Sequence, residues 1–95
     1  MTPTYEQTDP FRDDLRKLSE DERQRLKSAV AKIVEDLRRG GKGLRVKHVQ
    51  STSGVWEMTW APNGRATFEY GPQVHQGEPH VIWRRVGSHS ILNRP

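Results

Sequence analysis

The residues best suited to acid–base and phosphate chemistry lie in the second half of the chain. They are His48, Glu57, Arg65, Arg84, Arg85 and His89. Metal-free cleavage of RNA needs a base for the 2′-hydroxyl proton, cations that offset charge on the phosphorane, and an acid for the leaving 5′-oxygen. Carboxylate, guanidinium and imidazole groups can fill these roles. The residue types therefore fit RNA cleavage without a metal.

Arginines are the candidate phosphate ligands, because a planar guanidinium can bind two oxygens of one phosphate. Arg65 opens a predicted strand beside a hairpin turn, and Glu57 on the preceding strand could pair with it or act as the base. Arg84 and Arg85 end the last predicted strand with side chains on alternating faces. One of the two should reach the face of Arg65, and the sequence leaves open which one.

Histidines and further cations complete the candidate set. His89 follows the last predicted strand among small residues, so it is either a surface side chain or a general acid or base. His48 shares one side of its strand with apolar residues, so packing and catalysis both remain open for it. The cations expected to contact the RNA backbone are Lys42, Arg45, Lys47 and Arg84.

The composition excludes several classes of site. Cysteine is absent, which excludes disulfides, a thiolate nucleophile and cysteine-ligated zinc. No two histidines lie one helical turn apart, and neither a dinucleotide-binding nor a P-loop glycine motif occurs. We therefore expect no metal and no cofactor.

No apolar run approaches the roughly 18 residues of a membrane span, and no secretory signal begins the sequence. We therefore expect a cytoplasmic protein.

Charge is distributed unevenly along the 95 residues, whose net charge is +4. Residues 1–36 hold nine acidic and seven basic side chains, whereas residues 37–95 hold three and nine. The basic part also contains all three tryptophans and all four histidines. This combination suggests a polyanionic partner such as nucleic acid, although a charge that only maintains solubility would look the same.

Apolar spacing predicts two helices in the first two-fifths of the chain. Asp9 and Pro10 are typical of a helix start, with Asp9 as the N-cap and one apolar face following it. Ser19 and Glu22 form a capping-box pattern for a second helix, which should stop at Gly40 and Gly41. The apolar positions of the two helices are Phe11, Leu15, Leu18, Leu26, Ala29, Val30, Ile33, Val34 and Leu37.

After residue 43 the apolar period changes to two, which predicts strands at 44–49, 55–61, 65–70 and 80–86. Residues 4–7 could add an edge strand, but their pattern is weak. One face of the sheet should carry Trp56, Met58, Trp60, Ala66, Phe68 and Tyr70 against the helices. The other should expose Glu57, Thr59, Arg65, Thr67 and Glu69. We predict one α+β domain over 1–95, in which a two-helix hairpin (1–43) packs on an antiparallel sheet of about four strands (44–95).

Taken in order, these segments resemble a RelE/ParE-superfamily toxin of a type II toxin–antitoxin system. The resemblance is most specific from Trp83 to His89, where the YafQ-like and YoeB-like branches carry a histidine used in cleavage. Those branches also have an arginine opening the strand after the hairpin, which matches Arg65. The YoeB-like branch has a Lys-His pair on an earlier strand, which matches Lys47 and His48.

The resemblance implies a RelE-like fold and a ribosome-dependent endoribonuclease that cleaves mRNA in the A site. His89 would be the general acid and Glu57 or His48 the base, while Arg65 and one of the two closing arginines would hold the phosphate. The implied partners are mRNA, the ribosome and a cognate antitoxin, with DNA contacted only through the antitoxin and no membrane. Two alternatives stay open: a ParE-like DNA gyrase inhibitor, and a catalytically degenerate module that binds RNA or an antitoxin.

Overall fold

Five strands, two α-helices and a short 3-10 helix make up the described fold. A computed structural model describes residues 3–38 and 46–95. The elements in chain order are β1 (Thr4–Gln7), α1 (Asp9–Lys17), α2 (Glu20–Arg38), β2 (Val46–His48), β3 (Trp56–Ala61), β4 (Gly64–Gly71), β5 (His80–Ser88) and a 3-10 helix (His89–Asn93). Four positions named above fall outside the described residues: Gly40, Gly41, Lys42 and Arg45.

The sheet is mixed and five-stranded, in the order β1-β5-β4-β3-β2. β1 runs parallel to β5 and the other pairs are antiparallel. The prediction of about four antiparallel strands was therefore wrong at β1. Its one large apolar residue, Tyr5, is 67% exposed, so no buried stripe marks the strand. The His80 ring holds β1 instead: Nδ1 lies 2.7 Å from Thr4 Oγ1, and Nε2 lies 2.9 Å from Glu6 Oε1.

The helix α1 begins one residue earlier than the sequence indicates. Thr8, not Asp9, is the N-cap, and its Oγ1 accepts a hydrogen bond from the Phe11 amide at 3.3 Å. The same hydroxyl lies 3.1 and 3.0 Å from the carbonyl oxygens of Trp83 and Arg84. Thr8 therefore both caps α1 and joins it to β5, which explains why it displaces Asp9 from the capping position.

The helix α2 begins with the predicted capping box. The Ser19 amide donates to Glu22 Oε1 at 2.8 Å, and the Glu22 amide donates to Ser19 Oγ at 3.2 Å. The hydrogen bond from the Ser19 amide lowers the pKa of Glu22 most strongly, and a side-chain hydrogen bond with Ser19 lowers it further. Two orphan amides at the helix start are thereby satisfied. None of the helices in the described residues is long and apolar enough to cross a membrane.

The core lies between the helices and one face of the sheet. Its buried residues are Phe11, Leu26, Ile33, Leu37, Met58, Trp60, Ala66, Phe68, Val81, Trp83 and Val86. The predicted helix-facing side is confirmed for β3 and β4, with Trp56 packed partly against the core. Tyr70, at the far end of β4, is 43% exposed. Because strand residues alternate between faces, the positions between these core residues form the opposite side of the sheet.

Candidate active site

Four polar residues form one row across the sheet, on the face opposite the core. Lys47 pairs with Glu57, Glu57 with Thr67, and Thr67 with Arg85, so the row crosses β2, β3, β4 and β5. We call Lys47, Glu57, Thr67 and Arg85 the polar row. On β3, β4 and β5, at least one strand neighbour of each of these residues belongs to the core. The polar row therefore lies on the side of the sheet that faces away from the core.

Glu57 is a buried carboxylate, and within the described residues the one cation paired with it is Lys47. The residue is 5% exposed, and its Oε1 lies 3.5 Å from Nζ of Lys47, a side chain that is 76% exposed. Among the described residues, Oε1 has no hydrogen-bond partner. A buried carboxylate normally collects two or more hydrogen bonds, because desolvation of the charge is costly. This oxygen is therefore available to accept a proton or a hydrogen bond from a ligand.

Two more buried polar atoms on this face lack hydrogen bonds within the described residues: Oγ1 of Thr67 and Nε of Arg65. Thr67 is fully buried and Glu57 nearly so, which corrects the expectation of an open polar face. The 3-10 helix after β5 contacts β4 and β5. Alternation along a strand predicts which residues share a face and does not predict what covers that face. Unsatisfied buried polar atoms are rare in native proteins, so three together need an explanation.

Arg65 lies at the hairpin end of the same face. Its partners across the sheet are Thr59 and Gly87, so it is not opposite Glu57. Its Nη1 donates to the carbonyl oxygens of Ala61, Pro62 and Gly64 at 3.4, 3.4 and 3.0 Å. The guanidinium is therefore folded onto the turn.

Trp60 holds that turn in place from the core side. Its indole Nε1 donates to the Arg65 carbonyl at 3.0 Å. A Cβ atom at Gly64 would lie 2.6 to 2.9 Å from the Trp60 ring, closer than such atoms approach. Glycine at this position therefore lets the ring pack under the turn and position the Arg65 backbone.

Arg85 is held by Asp14 of α1. Its Nε donates to Asp14 Oδ2 at 2.7 Å and its Nη2 to Oδ1 at 3.2 Å, and Nη1 donates to the carbonyl of Arg94 at 3.1 Å. Asp14 Oδ2 also accepts the Val86 amide at 3.1 Å. The bond to Asp14 raises the pKa of Arg85. Of the two closing arginines, Arg85 is thus the member of the polar row.

Arg84 occupies a bulge in β5. Thr67 pairs with Arg85 and Phe68 with Trp83, which leaves Arg84 as the extra residue. Its Nη1 lies 3.0 Å from Oε2 of Glu69, and its Nε and Nη2 donate to the carbonyl of Pro95 at 3.3 and 3.2 Å. Arg84 is therefore tied to an acid and to the chain beyond β5.

The two candidate histidines lie outside the polar row. His48 pairs with Trp56, with ring centroids 4.2 Å apart, on the side of the sheet that faces the helices. His89 is exposed and begins the 3-10 helix, two residues after Gly87, the partner of Arg65. His89 thus follows shortly after the residue that pairs with Arg65, whereas His48 lies on the other side of the sheet.

The 3-10 helix packs onto the face that carries Arg65. Ile91 is 7% exposed, and a Cβ atom at Gly87 would lie 3.0 Å from its Cγ2. Because Val86 belongs to the core, Gly87 faces the opposite side of the sheet, and Ile91 packs there. In the described residues no three His, Cys, Asp or Glu side chains come together as they would around a metal ion.

Sequence reasoning missed Asp14 as part of this site. An aspartate on a predicted helix is expected to be exposed, yet Asp14 is 7% exposed. Its position three residues after Phe11 and one before Leu15 places it beside the apolar stripe, and that spacing was the available signal.

Comparisons with known proteins find the fold but no close relative. No protein-family model matches the chain, and no curated protein matches it. A chain of the RelB–RelE antitoxin–toxin complex from Methanococcus jannaschii superimposes with a TM-score of 0.58 at 19% identity, covering 92% of this chain and 93% of that one. A chain of the E. coli DinJ–YafQ toxin–antitoxin complex gives 0.59 at 13% identity, covering 97% and 98%. The predicted resemblance is thus confirmed at the level of structure: the chain has a RelE-like α+β fold.

Proposed function

We propose that this chain is the toxin of a toxin–antitoxin pair and a ribosome-dependent endoribonuclease that cleaves mRNA. The two structures named above are toxin–antitoxin complexes, which supports the toxin role and an antitoxin partner. The observation that carries the nuclease proposal is the buried Glu57 carboxylate, in a row that ends at Arg85. Its Oε1 has no hydrogen-bond partner in the part of the chain that the structure describes. A buried carboxylate of this kind can act as a base that takes a proton from a bound substrate.

In the proposed reaction, Glu57 takes the proton of the 2′-hydroxyl, and the 2′-oxygen attacks the adjacent phosphorus. Arg65 and Arg85 bind the nonbridging oxygens and stabilise the charge that develops there. His89 donates a proton to the leaving 5′-oxygen. The products are a 2′,3′-cyclic phosphate and a 5′-hydroxyl end. His48 is not used, because it lies on the other side of the sheet from Glu57.

The proposed role of the ribosome is to hold the mRNA in the reactive geometry. His89 is exposed at the start of the 3-10 helix and Glu57 is buried on β3, so the proposed acid and base lie on different elements. Positioning of this kind accounts for a large share of the barrier in reactions whose nucleophile is part of the substrate. The exposed Lys47 and the half-exposed Arg84 would contact mRNA or ribosomal RNA, as would Lys42 and Arg45, which lie outside the described residues.

The proposed antitoxin carries an acidic or amphipathic segment that covers the basic face. Charge complementarity would direct it to the arginines, where it would exclude RNA. Action on translating ribosomes would place the protein in the cytoplasm.

The test is primer extension on mRNA in translating ribosomes, with a ribosome-free reaction beside it. We expect new 5′ ends from the wild type on ribosomes only, and a loss of at least about 100-fold in Glu57→Gln and His89→Ala, as is usual for general acid–base groups. His75→Ala, which removes an exposed loop histidine, is the matched control and should cleave normally.

Other outcomes would identify the alternatives. Growth arrest without new 5′ ends, together with inhibition of DNA supercoiling, would establish a ParE-like gyrase inhibitor. Neither cleavage nor arrest, with RNA or antitoxin binding intact, would establish a degenerate binding module. Full cleavage by a folded Glu57→Gln protein would remove Glu57 from the mechanism.

A further inference from the structure

Thr67 is an unusual residue for the centre of a small sheet. It is fully buried, and its hydroxyl has no hydrogen-bond partner among the described residues. A buried hydroxyl in this state destabilises the fold, and valine has nearly the same shape without that cost. Residues that lower stability in this way are expected at functional sites.

The neighbours of Thr67 point to the ligand that its hydroxyl would bind. Across the sheet it lies between Glu57 and Arg85, and two residues before it on β4 is Arg65. Oε1 of Glu57 can only accept a hydrogen bond and Nε of Arg65 can only donate one, and neither atom has a partner in residues 3–38 and 46–95. A ligand that satisfies all three atoms must offer donors and acceptors together. A ribose 2′-hydroxyl next to a phosphodiester does so.

We propose that Thr67 is a substrate-binding residue whose hydroxyl donates a hydrogen bond to a nonbridging oxygen of the scissile phosphate in RNA. This inference rests on the proposed nuclease function. The 2′-hydroxyl then donates to Glu57, and the two arginines take the remaining phosphate oxygens. All three atoms acquire partners in the complex that the described residues of the free protein do not supply.

RNA reaches Thr67 only after its cover moves. Arg85, which pairs with Thr67 across the sheet, and Arg84 beside it donate to the carbonyls of Arg94 and Pro95. The carboxylates of Asp14 and Glu69 also hold these two arginines. Phosphate oxygens are stronger acceptors for guanidinium groups than neutral carbonyls, so they can replace these contacts. The arginine side chains can then shift toward the RNA without a change in the sheet, while Arg85 keeps its bonds to Asp14.

The test compares Thr67→Val with Thr67→Ser in thermal unfolding and in ribosomal cleavage. Thr67→Val should raise the Tm by several degrees, since it removes the unsatisfied hydroxyl, and should lower cleavage at least tenfold. Thr67→Ser keeps the hydroxyl and loses a buried methyl group, so it should lower the Tm and retain most of the cleavage. Thr59→Val, at an exposed threonine on the same face, is the matched control and should change neither quantity.

A structural role would give the opposite pattern. If a buried water bridges Thr67, Thr67→Val loses stability and cleavage together and the inference is overturned. Wild-type cleavage by Thr67→Val also overturns it while the nuclease proposal stands. Absence of cleavage by the wild-type protein in the same reactions overturns both, so the two failures are distinguished.

Discussion

At the scale of single residues, Asp14 fixes where Arg85 sits. Its two carboxylate oxygens bind the Arg85 guanidinium and the Val86 amide, so one acid on α1 serves both a side chain and the edge of β5. The charge–charge hydrogen bond of this geometry is among the stronger kinds in proteins. Arg85 therefore reaches the polar row from a fixed anchor, unlike the folded-back Arg65.

We expect Asp14→Ala to destabilise the protein by about 1–3 kcal/mol, because it leaves the Val86 amide buried without an acceptor. Urea unfolding measures this change. The matched control is Asp13→Asn, since Asp13 and Arg16 form an exposed pair at 2.9 Å. Exposed pairs contribute little, so its effect should stay within about 0.5 kcal/mol. Equal effects at the two positions would show that Asp14 has no special role.

The sequence predicts part of the site at this scale. Strand alternation correctly places Glu57, Arg65 and Thr67 on one face. It does not decide between Arg84 and Arg85, because the bulge that sets their positions depends on pairing with β4. It also does not predict the burial of Thr67, since that depends on side chains and chain segments that no local pattern describes.

At the scale of elements, the capping box at the start of α2 contains a group whose charge depends on pH, the carboxyl group of Glu22. Its hydrogen bonds to Ser19 hold the pKa of Glu22 below the ordinary value of 4.5. A carboxylate with a lowered pKa stabilises the fold fully above its unfolded-state pKa. That contribution is lost as the pH falls through the lower folded-state pKa, because the charged form is the one that is hydrogen-bonded.

We therefore expect wild type to be more stable than Glu22→Gln at neutral pH, and the difference to shrink as the pH falls below the ordinary value of 4.5. Urea midpoints measured for both proteins from neutral to acidic pH would show this convergence. Curves that stay parallel over the range would mean that the charge of Glu22 contributes nothing to the capping box.

Elements with strong local signals are predicted well from the sequence, and β1 is not. The capping box and the change of period at residue 44 each follow from a few neighbouring residues. β1 depends on a strand more than seventy residues away, and its contacts to His80 are polar. Its direction, parallel to β5, has no local signal at all.

At the scale of the whole molecule, Trp83 joins the elements that surround it. Its ring centroid lies 5.7 Å from Phe11 of α1 and 5.3 Å from Phe68 of β4, and its backbone pairs with Gln7 of β1. The residue is 6% exposed. Its loss would therefore leave a cavity that three elements line.

We expect Trp83→Ala to lower the free energy of unfolding by about 3–5 kcal/mol. This is a large share of the roughly 5–15 kcal/mol that keeps a domain folded. Urea unfolding checks the value, and Tyr5→Ala is the control because Tyr5 is 67% exposed. A loss below about 1 kcal/mol would mean that the surrounding residues collapse into the space.

The position of β5 between β1 and β4 governs when the protein can form during its own synthesis. The partners of Thr4 and Asp14 lie 76 and 71 residues further along the chain. Neither the N-terminal strand nor the anchor for Arg85 can form its contacts until β5 has left the ribosome. A nascent chain that stops before β5 thus holds Lys47, Glu57 and Thr67 but lacks the arginine end of the row. The proposed nuclease would assemble only after β5 has left the ribosome, so the ribosome that makes it is protected until that point.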